Sequence, residues 1–465
     1  MIRTTYLLIM VFLLGTCPFH AQHLRVSDNG RFLIREDGSP FFWLADTAWE
    51  LTHKATRSEI IHYLEKRKSQ GFNVIQTVAL AELDGLHTPN REGQLPLLHD
   101  DPGQPNPAYF ALIDFSLRKA DSLDMFLALL PTWGDKLYKD SWGTGPEVFT
   151  PENAYTYGKW LGNRYRDTQN IIWILGGDRN PREGSRDVEI WNRMASGILD
   201  GVSHPEKALM SFHPQPRADG GSSHWFHGEA WLDFNMHQTG HCTDHPSFLK
   251  IRHDYALSPT KPVLDGEPLY EDHPNCFNAR ELGYSLPRDI RRIMYWNVFA
   301  GAFGQTYGCH DVWQWHRAGD PGINGPLRPW DLALDLPVAN QVQYLKNLML
   351  SRPFLSRIPD PGLIAGSNEE NENYVAATRD ESGRYAMWYF PSGKGIQIDL
   401  SLLGGASFRS WWYDPRTGTS FKGPALEAMA VAEITPPSSG PGQDWVFVVD
   451  RADTTYPPPG QPWPE

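Results

Sequence analysis

Two acidic residues stand out for where the chain puts them. In Asn170-Ile171-Ile172-Trp173-Ile174-Leu175-Gly176-Gly177-Asp178-Arg179, apolar residues fill consecutive positions, two glycines interrupt them, and Asp178 follows. Consecutive apolar positions mark a strand buried on both faces, so Asp178 falls where that strand ends. Lys261-Pro262-Val263-Leu264-Asp265-Gly266-Glu267-Pro268 repeats the design, with Glu267 at the exit. Enzymes built on a (β/α)8 barrel carry their catalytic groups at the C-terminal ends of the strands. Two carboxyls on two such ends suit cleavage of a glycosidic bond: one protonates the leaving oxygen, the other attacks or activates water. The proton donor then needs a raised pKa, while its partner must stay ionised. Taken singly, Asp178 could cap the following helix and Glu267 could sit in a structural ion pair. The pair together favours the chemistry.

The elements that must position these acids alternate along the chain. Buried strands are expected at Phe41 to Ala45, Phe72 to Leu80, Met125 to Pro131, the Asp178 stretch, Ala208 to His213, Phe234 to Gln238, Lys261 to Glu267 and Ala302 to Tyr307. Helices are expected at Ser58 to Gln70, Pro107 to Ser122, Pro151 to Arg166, Val188 to Leu199, Pro287 to Phe299 and Val338 to Leu350. This alternation predicts an α/β fold, a (β/α)8 TIM barrel, over residues 22–355. The Pro- and Gly-rich stretch from Glu82 to Pro107 is expected to be a long loop that helps build the substrate pocket. After Pro359-Asp360-Pro361-Gly362 only short strands and turns remain, which predicts a small antiparallel β-sandwich over 360–453.

Composition narrows the partners. The 465-residue chain carries a net charge of −13 and no basic run long enough to track a phosphate backbone, so nucleic acid is not an expected partner. Aromatic residues make up 12% of the chain, and many tryptophans sit beside Gly, Asp or His, contexts that suit the apolar faces of sugar rings. Arg3, the apolar run Tyr6 to Leu14 and the Ala21-Gln22 junction read as a signal peptide over 1–21, so the protein is expected to be exported to the periplasm, cell surface or medium. Cys17 in Leu14-Gly15-Thr16-Cys17 would attach it to a membrane only if lipidated. Cys242, Cys276 and Cys309 remain after processing and permit at most one disulfide. No spacing of Cys and His suggests a metal, and no cofactor is expected.

Further polar and aromatic residues near strand ends are candidates for holding substrate. Asp46 could bind sugar hydroxyls or cap the next turn. His213, His237 and Gln238 end the fifth and sixth strands, where an imidazole could orient the nucleophile or bind a hydroxyl. Asp265 points to the same side as Glu267 if its strand stays regular. Arg179 could recognise an anionic sugar or pair with Asp178. Trp133, Tyr307, Trp313 and Trp315 could wall the site, whereas Gln76 and Glu82 read more readily as structural.

Six segments together resemble the apiosidase-like family of glycoside hydrolases. They are Phe42 to Trp49, Gly71 to Gln76, Trp173 to Asp178, Pro262 to Pro268, Gly301 to Gly308 and, in the C-terminal domain, Trp411 to Gly418. The resemblance implies Asp178 as general acid/base and Glu267 as nucleophile. It also implies an exo-acting enzyme that removes terminal apiose from the rhamnogalacturonan-II side chains of plant pectin. An acid on strand four and a nucleophile on strand seven is the arrangement of many retaining barrels, although those barrels usually carry Glu where this chain has the shorter Asp178. Other furanosides or pyranosides, such as arabinofuranosides, are alternative substrates, and a glycan- or matrix-binding protein without chemistry is the alternative outside enzymes. The small β-domain of the family carries a collagen-binding label; here packing against the barrel is its expected role.

Overall fold

The computed structural model describes residues 23–140, 142–217, 220–405, 407–426 and 431–463. The expected signal peptide and Cys17 lie outside them. A three-stranded antiparallel sheet at Leu24–Val26, Leu33–Arg35 and Pro40–Phe41 leads into eight parallel strands. These are β1 (Trp43–Thr47), β2 (Val74–Leu80), β3 (Phe126–Thr132), β4 (Ile171–Gly176), β5 (Met210–His213), β6 (Asn235–Gln238), β7 (Val263–Glu267) and β8 (Gly304–Tyr307). All their residues are buried, because one face meets the barrel interior and the other meets helices. One continuous ladder runs β8-β1-β2-β3-β4-β5, and β6 pairs with β7. Hydrogen bonds bridge the two seams: Ser211 Oγ donates to Phe234 O at 2.7 Å and Asp233 N to Met210 O at 2.9 Å at one, and Phe303 N to Val263 O at 3.2 Å at the other. The strands therefore follow one another around the barrel in chain order.

Helices α1 (Arg57–Ser69), α2 (Pro107–Asp121), α3 (Pro151–Arg164), α4 (Asp187–Gly201), α5 (Ser247–Tyr255), α6 (Pro287–Phe299) and α7 (Pro337–Met349) cover the outside. Their starts follow from local chemistry. Thr56 with Glu59, and Thr150 with Asn153, form reciprocal caps, and proline opens α2, α3, α6 and α7. Helix α5 has no counterpart among the helices expected from the sequence. Four glycines let α3 and α4 touch backbone to backbone: a Cβ at Gly158 would lie 2.3 Å from Met194 O, and one at Gly197 2.2 Å from Tyr155 O.

The C-terminal domain has a six-stranded antiparallel sheet and a two-stranded one. The larger sheet takes β9 (Arg357–Pro359), β10 (Ala376–Asp380), β11 (Tyr385–Phe390), β13 (Phe408–Asp414), β14 (Thr419–Lys422) and β16 (Trp445–Arg451) in the order β9-β10-β11-β16-β13-β14. The smaller pairs β12 (Ile396–Asp399) with β15 (Val431–Ile434). Strand alternation gives the large sheet two buried faces. Trp388, Phe390, Trp412 and Phe447 fill the sandwich, while Tyr385, Met387, Tyr389, Tyr413 and Val448 join the core of the barrel. Tyr295 on α6 stacks on Tyr389 at 4.7 Å, and Phe248 on α5 stacks on Tyr374 at 4.1 Å. Two buried ion pairs tie the same interface: Arg291 to Asp444 at 2.7 Å and Arg352 to Asp450 at 2.8 Å.

Several candidates for the site turn out to hold the scaffold instead. The Asp46 carboxylate is fully buried and accepts from Tyr63 Oη at 2.5 Å and Arg67 Nε at 2.6 Å, so it neither meets a sugar nor caps a turn. Tyr307 is buried and donates to Glu271 at 2.7 Å, and Trp315 stacks on Trp330 at 4.2 Å within the core. Removing one partner of a buried ion pair strands the other, at a cost of about 3–5 kcal/mol. Asp46→Ala is accordingly expected to lower the unfolding free energy by roughly that amount in urea titration. A wild-type midpoint combined with a raised KM would instead assign Asp46 to the sugar.

Candidate active site

A cavity of about 610 Å³ opens at the C-terminal ends of the strands, and both Asp178 and Glu267 line it. Glycines deliver the acid. Gly176 and Gly177 have φ of 91° and 117°, and Asp178 itself has φ of 56°. A Cβ on Gly176 would meet His213 O at 2.3 Å, so only glycine lets β4 turn out this close to β5. Glu267 is delivered by an irregularity: the β6–β7 register slips between Asp265 and Glu267. Gln76 on β2 fixes that strand end by donating to Gly266 O at 2.7 Å across the barrel.

The two carboxyls occupy opposite electrostatic settings. Burial raises the Asp178 carboxyl to about 7 and the nearby Glu267 charge adds to the rise, against opposing pulls from His213, Arg179 and the Trp142 indole. Burial also penalises the Glu267 charge, but His213 and His241 outweigh it and hold the carboxyl down at about 2. His213 Nε2 lies 3.0 Å from one Glu267 oxygen and His241 Nε2 3.2 Å from the other. His241 is in turn stacked on His273 at 4.1 Å and packed against Tyr270. Below about pH 7 the site thus presents one protonated acid and one carboxylate, the division of labour that glycosidic cleavage requires.

Trp142 comes from the loop after β3, and its Nε1 donates to Asp178 Oδ2 at 2.9 Å. Two buried side chains shape that loop. Asp135 accepts from Lys136 Nζ at 2.7 Å and from Thr144 N and Gly145 N at 3.0 and 2.9 Å. Arg179 donates to the carbonyls of Tyr138, Asp178 and Trp142. Arg179 is therefore a loop clamp, fully buried with each of its three side-chain nitrogens bonded to a carbonyl, and does not face a sugar.

Among the other expected site residues, Trp133, Gln238 and Trp313 line the cavity. His213 backs Glu267. His237 lies 3.0 Å from Asp254 on α5, away from the cavity. Asp265 accepts from Thr239 at 2.7 Å and Asn297 at 3.0 Å; the register slip turns it from the side that Glu267 takes, so it is an interior bond acceptor. The sequence reading missed Trp49, Trp142, His241, Tyr270 and His273, and took Glu82, which lines the cavity, as more readily structural. Cys242 and Cys276 are joined in a disulfide that links the loops after β6 and β7, and Cys309 is buried and free. Both sulfurs of the Cys242, Asp244 and Cys276 group are thereby used, so that group does not fit a metal.

These charge states set a pH profile. The rate constant kcat/KM is expected to fall as pH rises through about 7, when Asp178 loses its proton, and to hold at lower pH, where Glu267 stays charged. The Trp142 N–H favours the charged form of Asp178. Trp142→Phe should therefore move the alkaline limb to higher pH. An unmoved or lowered limb would mean that Asp178 is not the titrating acid.

Comparisons with known proteins agree with this geometry. Residues 27–356 match the model of the apiosidase-like catalytic domain, and residues 358–450 match that described as "putative collagen-binding domain of a collagenase". A glycoside hydrolase family 5 structure from Bacteroides vulgatus is 33% identical, with a TM-score of 0.85 over 94% of this chain and 95% of its own. A second solved glycoside hydrolase is also 33% identical, with a TM-score of 0.84 over 94% of this chain and 99% of its own. No curated protein matches the sequence. The barrel, the paired acids and the match over most of the chain agree: this protein belongs to the apiosidase-like family and is a glycoside hydrolase.

Proposed function

We propose that this glycoside hydrolase is exported, acts on the non-reducing ends of plant pectic side chains, and releases apiose with retention of configuration. The observation that carries the reading is the pair Asp178 and Glu267, one held protonated and the other held charged in a single cavity. Asp178 protonates the glycosidic oxygen while Glu267 attacks the anomeric carbon. Asp178, now ionised, then takes a proton from the water that hydrolyses the glycosyl-enzyme. A cavity of about 610 Å³ suits a terminal sugar with part of its aglycone, and Trp49, Trp133, Trp142 and Trp313 offer stacking faces. Family membership supports apiose as the glycone. The Cys242–Cys276 disulfide supports an oxidising compartment outside the cytoplasm. Among the described residues no helix is long and apolar enough to cross a membrane.

The test is hydrolysis of rhamnogalacturonan-II oligosaccharides, with the released sugars identified and the first-formed anomer followed by proton NMR. Wild type should release apiose with retained configuration. Asp178→Ala should lose about 10²–10⁴-fold in kcat, the usual worth of acid–base assistance, and Glu267→Ala should be inactive. Release of a different sugar would move the specificity, and an inverted anomer would make Glu267 the base that activates water.

A further inference from the structure

Glu82 follows β2 and opens the long segment that leads to α2. Its half-buried side chain lines the catalytic cavity together with Asp178, Trp49 and Trp133. Among the described residues it has no hydrogen bond or ion pair, although its surroundings are rich in charge. Among the described residues the cations of this region, Lys136 foremost, are engaged elsewhere. The ammonium of Lys136 lies on Asp135, His53 is paired with Glu50 at 2.6 Å, and Arg179 is spent on three carbonyls. Among the described residues no Lys or Arg lines the cavity, and three carboxyls do: Glu82, Asp178 and Glu267.

Such a position disfavours a charge on Glu82. Burial first, then the neighbouring Asp178, Asp135 and Glu50, push its carboxyl well above the ordinary range, and Lys136 offsets this only in part. A protonated carboxyl offers one O–H donor and keeps acceptor capacity, a good match for a sugar hydroxyl. A carboxylate on the sugar would instead meet three acids, with His241 already held on Glu267 and His273 kept neutral by burial.

We propose that Glu82 contacts the substrate as an uncharged carboxylic acid, hydrogen-bonded to hydroxyls of a neutral glycone, and that a glycone bearing a carboxylate is rejected. The proposal rests on the reading of Asp178 and Glu267 as the catalytic pair. It deepens that reading by naming a specificity-determining contact and the charge class of the glycone.

The variants that decide it are Glu82→Gln, Glu82→Ala and Glu82→Met, assayed on a neutral aryl glycoside that wild type cleaves and on its uronic acid counterpart. Gln supplies the donor and acceptor of the neutral acid without ionising, and Met fills the space without a hydrogen bond. Glu82→Gln is expected to stay within about threefold of wild type and to keep the alkaline limb in place, whereas Ala and Met raise KM about tenfold, the worth of one or two neutral hydrogen bonds. The uronide should not be turned over. Should Gln be as damaged as Ala or Met at an unchanged melting temperature, an ionised carboxylate is required and the proposal falls. It falls equally if Ala and Met leave KM at the wild-type value, or if the uronide is cleaved with a comparable kcat/KM. Wild-type activity in Asp178→Ala or Glu267→Ala would instead overturn the underlying catalytic reading, and this proposal with it.

Discussion

Two carboxyls buried in one cavity cannot both keep their charge cheaply, and the protein settles which of them does. The decision is made by two imidazoles. His213 and His241 approach the two oxygens of Glu267, so the negative charge resides there, and its field together with burial keeps the proton on Asp178. The rest of the site reads as support for this division. The β6–β7 register slip aims Glu267, Gln76 anchors its strand end, and the glycines after β4 bring Asp178 over beside β5. Trp142 then gives the acid one donor, which stops its pKa from climbing further.

What the sequence reveals follows the same physics. The strands are legible because burial on both faces demands unbroken apolar runs, and Asp178 and Glu267 are legible as strand-end acids because each run ends abruptly in glycine and a carboxyl. The supporting residues are not. Trp142, His241 and His273 stand on irregular loops without periodicity, and their placement depends on hydrogen bonds between distant segments, such as Arg179 to Trp142 O and Cys276 N to His241 O. Helix α5 escapes notice for a related reason: Ser247–Tyr255 has no side-chain cap, and only a few of its residues are buried.

The misplaced candidates share one cause. Asp46, His237, Asp265 and Tyr307 all lie on or beside strands, where a polar residue can face either the cavity or a neighbouring element. Each found a partner in the scaffold: Arg67, Asp254, Asn297 and Glu271 in turn. A buried polar group needs such a partner, and the sequence does not reveal that a distant residue will supply it. Glu82 is the converse case, a polar residue that the scaffold leaves unpartnered.

The join between the two domains limits how the chain can be rearranged. Barrel and sandwich share one apolar core, in which Tyr389 and Tyr413 belong to the sandwich sheet and Tyr295 and Trp296 to α6. Cutting at the Pro359 boundary would expose an aromatic face on both pieces, and each half would present a sticky surface to other copies of itself. The C-terminal domain is thus no detachable cargo module that could be exchanged among unrelated enzymes. Mutations at its barrel-facing positions should track those on α5 and α6, so the pair diverges as one unit while the exposed positions of β12 and β15, such as Gln397 and Glu433, remain free to drift.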